Sequence, residues 1–137
     1  MVFGEYKLVI FELNSLFDYS EEHSFSFNLK YLDVIQKLKE EGKVLCVLAQ
    51  GIYSNHEIKL SIIQNSKLFD NIIENSEYGE LAMMELHDMV NSFINKYDVT
   101  QEEIMLVTDK KLDKYLSLDI FTVNWDEVLW RIGMYYL

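Results

Sequence analysis

The chain contains no proline, and no stretch of it is low in complexity or repeats at a fixed period, so nothing marks an internal linker or an array of repeats. It has a single cysteine, Cys46, set inside an apolar run. An intramolecular disulfide is thereby excluded, and the residue reads as a small buried hydrophobe in keeping with a reducing compartment. Long hydrophobic runs are missing as well. The longest, such as residues 8–11 and 44–49, fall well short of the roughly 20 residues needed to cross a bilayer. The opening MVFGEYK lacks the basic region, apolar stretch and small-residue cleavage site of a secretory signal, so a cytoplasmic location is expected. Positive charge is scarce: 12 Lys and Arg stand against 23 Asp and Glu, a net charge of −11. This balance opposes attraction to nucleic acid or anionic membrane and suits either simple solubility or a basic partner.

What the chain has in quantity is apolar. Half of its 137 residues are hydrophobic and 14% are aromatic, which supports one packed domain over residues 1–137 and contradicts extended disorder. Residues 7–13 and 43–49 read as buried strands, and residues 69–73 as a short one. Between the first two, residues 28–41 carry Leu32, Ile35 and Leu38 at helical spacing and stop near Gly42. Ser54 with Glu57 forms a capping-box pattern that opens a helix with Ile58, Ile62 and Ile63 on one face. Residues 80–97 place Met83, Leu86, Val90, Phe93 and Tyr97 on one side, a stripe that reads as core. Thr100 and Glu103 set a turn into a strand at 104–108, a short helix follows, residues 120–123 form a last strand, and residues 126–136 a closing helix.

Strands that are apolar throughout, separated by helices, imply a parallel sheet of about five strands covered on both faces. The expected fold is a single α/β domain, Rossmann-like, with three α/β/α layers. Ligands in such sheets gather beyond the carboxyl ends of the strands. The residues predicted there are Glu12, Asn14, Ala49, Gln50 and Asp109.

At these positions the chain resembles the haloacid dehalogenase-like (HAD) phosphohydrolase superfamily, over nearly its whole length and in motif order. KLVIFELNSLF is similar to the first motif, an apolar strand followed by Asp-x-Asp-Gly-Thr, with Glu12 in place of the nucleophilic aspartate, Asn14 in place of the acid/base aspartate, Ser15 for the glycine and Leu16 for the threonine. GKVLCVLAQG resembles the second, with Ala49 at its hydroxyl position and Gln50 after it. FDNIIE resembles the segment that follows, and LDIFTVNW the final strand. VTQEEIMLVTDKKLD resembles the fourth motif: Asp109 and Asp113 match its two acids, while Thr108 replaces a glycine.

The resemblance implies a nucleophile and an acid/base at Glu12 and Asn14, a phosphate site at Ser15, Ala49 and Gln50, and Mg²⁺ held by Glu12, Asp109 and Asp113. It also implies a lysine that neutralises the transferring phosphoryl group. No lysine lies between Lys67 and Lys96, so that place is expected to be empty, with Lys110 and Lys111 reading as solvent-facing. Neither interval where the family inserts a cap is long, so the domain is expected to be capless, with residues 17–28 as its one flap-forming segment. His23, His56 and His87 lack metal-ligand spacing and read as surface residues.

The replacements bear directly on chemistry. Glu12 keeps a carboxylate but extends it by a methylene, and a misplacement of about 1 Å can cost on the order of a hundredfold. Asn14 cannot exchange a proton near neutral pH, which removes help worth about 10² to 10⁴ in rate. The sequence therefore favours a catalytically inactive or strongly impaired domain that serves as a binding or regulatory module for a protein partner. The alternative is a Mg²⁺-dependent phosphatase with Glu12 as an atypical nucleophile. A receiver-like signalling domain fits less well, since no acidic pair follows the first strand and no phosphoacceptor aspartate follows the third. Residues 130–137, WRIGMYYL, carry more apolar surface than one helix face needs, which suits docking of this helix onto its own sheet, with a second copy of the chain as the alternative partner. If that homodimer forms, deleting residues 130–137 lowers the mass seen by light scattering without unfolding the domain, and an unchanged monomer dismisses it.

Overall fold

The computed structural model describes residues 3–19, 25–50, 56–75, 79–109, 115 and 118–136. Strand β1 (Leu8–Glu12) ends in a short 3-10 turn (Leu13–Leu16), and β2 (Phe17–Tyr19) and β3 (Phe25–Phe27) follow as an antiparallel ribbon. Helix α1 (Leu29–Glu40) leads to β4 (Val44–Gln50), α2 (His56–Ser66) to β5 (Asn71–Asn75), and α3 (Gly79–Tyr97) to β6 (Ile104–Thr108). The chain closes with β7 (Phe121–Asn124) and α4 (Trp125–Tyr136). Strands β5-β4-β1-β6-β7 form one parallel five-stranded sheet, flanked by the four helices, as a Rossmann-like α/β domain requires. Among the described residues no helix is long and apolar enough to cross a membrane.

Strand β1 is central, and its five side chains are all buried. Period-two alternation divides them between two cores. Val9 and Phe11 pack with Val34, Ile35 and Leu38 of α1, Ile63 of α2, and Val128 and Ile132 of α4. Leu8 and Ile10 meet Leu86, Met89, Val90 and Phe93 of α3, together with Tyr115 and Leu118. Each of these apolar side chains contributes roughly 1.5–3 kcal/mol when withdrawn from water, which explains why β1 tolerates no polar residue before its last position. Connections from β1 run through β4 to β5 on one side, while β6 and β7 lie on the other. The order reverses at β1, and the groove beyond the carboxyl ends of β1 and β6 is where such sheets bind ligands.

Local chemistry fixes the joints. Asn28 caps α1, its Oδ1 accepting from the backbone of Lys30 (2.9 Å) and Tyr31 (3.2 Å), while its Nδ2 donates to Asp18 Oδ1 of the ribbon (3.0 Å). Gly42 follows the helix at φ 85°, a left-handed position that a residue with a Cβ adopts only with strain. At the amino ends of the strands, the buried Lys43 donates to the carbonyls of Phe3 (2.7 Å) and Tyr6 (2.5 Å), and burial lowers its pKa. The Thr100–Glu103 capping box is present ahead of β6, and Glu103 also meets Lys7 at 2.9 Å.

Two elements depart from the sequence reading. Strand β5 begins at Asn71, two residues later than expected. Asp70 spends its groups on starting the ladder, its N–H donating to Leu45 O (2.7 Å) and its Oδ2 accepting from Leu45 N (2.8 Å). Helix α2 is turned: Ile58 is 55% exposed, and Lys59 with Ile63 faces the protein instead. The expected short helix before β7 falls largely outside the described residues, apart from Tyr115 and Leu118, both buried.

Burial pushes the Cys46 thiol up to about 12 from an ordinary value of 9.0, with Asp70 adding to the effect. The reactive thiolate is then scarcer by on the order of a thousandfold at neutral pH. A thiol reagent should label Cys46 in the folded chain at least that much more slowly than in urea; equal rates would place Cys46 at the surface.

Candidate functional site

The carboxyl end of β1 is where polar chemistry enters an otherwise apolar strand. Glu12 is only 1% exposed, and leaving such a carboxylate without hydrogen bonds would be costly. The buried hydroxyl of Tyr115 donates to its Oε2. The turn that follows supplies a second arrangement: Ser15 Oγ donates to the Glu12 carbonyl (2.6 Å) and accepts from the indole Nε1 of Trp125 (3.1 Å). Trp125 is itself held between rings, stacked on Tyr31 at 3.9 Å and on Phe11 at 5.5 Å between centroids. From α2, the ammonium of Lys59 reaches in and donates to Asn14 Oδ1 (2.8 Å), with the Phe17 ring 5.8 Å away. Lys59 is also 1% exposed, so a buried cation and a buried anion share this end of the sheet.

The structure thus brings Glu12, Asn14 and Ser15 together in one continuous turn. Ala49, at the end of β4, lies in the core on the α1 side, so its methyl packs rather than faces a ligand. Gln50 closes β4, but its side chain lies outside the described residues, as do the whole of Asp113, Lys110 and Lys111. Asp109 is exposed just past β6. It joins Asp18 and Asp126 around Tyr31, whose phenol is raised in pKa first by burial and then by these three carboxylates. The rim beside Trp125 is therefore acidic.

The expectation that no lysine serves this end of the sheet is corrected by Lys59. The face drawn through Ile58, Ile62 and Ile63 takes in Lys59, three residues before Ile62 and four before the buried Ile63, but a charged side chain there reads as solvent-facing. The second missed residue, Tyr115, carries no signal of its own in the sequence, because nothing about KLDKYLS marks its one aromatic as a partner for a residue 103 positions away. Of the histidines, His56 pairs with Glu74 at 3.2 Å, His87 is exposed, and His23 lies outside the described residues. Among the described residues no three His, Cys, Asp or Glu side chains converge as a metal would need.

No protein-family model matches the chain, and no curated protein matches it. Among solved structures it is similar to an uncharacterized protein from Corynebacterium glutamicum, with a TM-score of 0.65, 13% identity and 96% of each chain covered. At that identity the likeness supports the α/β fold and nothing finer.

The Tyr115–Glu12 interaction is measurable. Tyr115→Phe should destabilise the domain by about 1–3 kcal/mol in urea unfolding, the usual cost of losing a buried hydrogen bond to a charged group. In a Glu12→Leu background the same change should cost much less; additive effects in this double-mutant cycle would show that the two groups do not interact.

Proposed function

We propose that the chain is a capless HAD-like domain whose strand-end groove no longer breaks phosphate esters and which works as a binding or regulatory module. The observation that carries this reading is the internal engagement of the two positions where the chemistry would sit. Glu12 is buried and accepts from Tyr115, and Asn14, which has no proton to give, accepts from Lys59. A carboxylate attacking phosphorus must be aligned with it at about 3–3.5 Å, and one sealed beneath a tyrosine reaches that geometry only after the tyrosine leaves. Asp18, Asp109 and Asp126 at the rim add a field that repels an anionic ester.

A second reading is favoured by Lys59 alone. Transferring a phosphoryl group calls for fixed positive charge, and a buried ammonium beside Asn14 supplies it. In that reading Glu12 is the nucleophile of a phosphatase, and Mg²⁺ would draw on the carboxylates of Glu12 and Asp109, since this ion accepts one or two carboxylates with waters. With Oε2 of Glu12 engaged by Tyr115 and Asp109 exposed outside the sheet, the described donors do not form a ready octahedral set.

The two readings separate in one assay. The purified chain should hydrolyse neither p-nitrophenyl phosphate nor phosphopeptides with Mg²⁺ above the level of a Glu12→Ala control. Robust turnover that this substitution abolishes, or trapping of a beryllium fluoride adduct on Glu12, overturns the binding-module reading in favour of the hydrolase.

A further inference from the structure

The first half of α3 uses only one of its faces for the fold. Ala82, Leu86 and Met89 enter the core, while Leu81 (59% exposed) and Met84 (62% exposed) stand in solvent one turn apart. Beside them Glu80, Met83, Met84 and His87 line an open depression of about 700 Å³. Single exposed apolar side chains are ordinary on any protein. Two on successive turns next to a hollow form a patch with a shape that an apolar side chain could enter.

Along the part of α3 that carries this patch the fixed charge is of one sign: Glu80, Glu85 and Asp88 stand there, and the helix has no lysine or arginine before Lys96 in its last turn. Glu80 borders the depression, and the exposed Asp88 lies on the same helix one turn beyond Met84. The charge selects among occupants. A second copy of this chain would set the same acids against each other, and an anionic lipid surface would be repelled likewise. A helix that offers leucine, methionine or aromatic side chains at i, i+3 and i+7, bordered by lysine and arginine, satisfies both the apolar strip and its acidic margin. Methionine suits the task because its unbranched thioether repacks around different partners.

We propose that Leu81, Met84 and the depression bounded by Glu80 and His87 dock a basic amphipathic helix of a protein partner. The surface is built from α3 and is separate from Glu12, Asn14 and Lys59, so it stands whether the strand-end groove is inert or hydrolytic. For an inert domain it names the class of partner; for a hydrolase it would be a recruiting surface.

The test uses the full chain and a labelled synthetic peptide of leucine and lysine patterned at the helical period, with a scrambled peptide and a leucine–glutamate peptide as controls, read by fluorescence anisotropy. The patterned peptide should bind, the two controls should not, and added salt should weaken the complex. Leu81→Ser/Met84→Ser should weaken it by about tenfold or more, and Glu80→Gln/Asp88→Asn should flatten its salt dependence, with circular dichroism unchanged because all four positions are at the surface. No binding of the patterned peptide overturns the proposal. So does binding that Leu81→Ser/Met84→Ser leaves intact, which would be attraction to net charge alone. A dimer of the free chain that this double substitution dissolves would also overturn it, because the face would then be covered by another copy.

Discussion

Two charges buried at the end of one strand constrain much of what surrounds them. Placing the Glu12 carboxylate and the Lys59 ammonium in a low-dielectric interior is tolerable only where each has partners of good geometry. Tyr115 from the β6–β7 connection answers the first, and Asn14 from the turn after β1 answers the second. The turn is fixed in its own right by Ser15, which links the Glu12 carbonyl to the Trp125 indole. Four parts of the chain remote in sequence therefore meet at this point: the first strand, α2, the segment before β7, and the start of α4. Removing any one member takes a hydrogen bond from a polar group buried in apolar surroundings, so each of these positions is costly to alter.

The same arrangement separates scaffold from chemistry. Apolar strands and amphipathic helices need only their periodicity to assemble a parallel sheet, and the sheet's reversal at β1 creates a groove irrespective of what lines it. Here the strand end is backed by the stack of Phe11, Trp125 and Tyr31, with Phe11 and Trp125 in the core and Asp18, Asp109 and Asp126 near Tyr31.

Much of the fold was legible in the amino-acid order because it rests on repeating patterns. Strand β6 lies where an unbroken apolar run put it, α1 (Leu29–Glu40) lies within the expected 28–41 and stops ahead of Gly42, and α3 shows the Leu86, Val90 and Phe93 stripe as core. The site was half legible. Glu12 and Asn14 follow directly from the end of a strand, but Lys59 occupies a position where helical periodicity predicts an apolar residue, and charge is normally scored as solvent-facing. The pairing of Tyr115 with Glu12 is set by tertiary geometry that local pattern does not encode. The start of β5 moved for a comparable reason, since Asp70 uses its side chain to imitate a strand residue before the strand begins.

The position of β1 has a consequence for how the chain is made. It is the first strand to emerge during synthesis, yet it is the innermost of the sheet, and its pairing with β6 joins Leu8 to Ile104. A nascent chain that has released β1, α1 and β4 still presents one whole edge of a strand that is apolar up to Glu12 until the late segments arrive. Closing such distant pairs is intrinsically slow, and with no proline in the sequence the topology itself sets that delay. During that interval the unpaired edge of β1 is the surface most in need of shelter, by a chaperone or by speed.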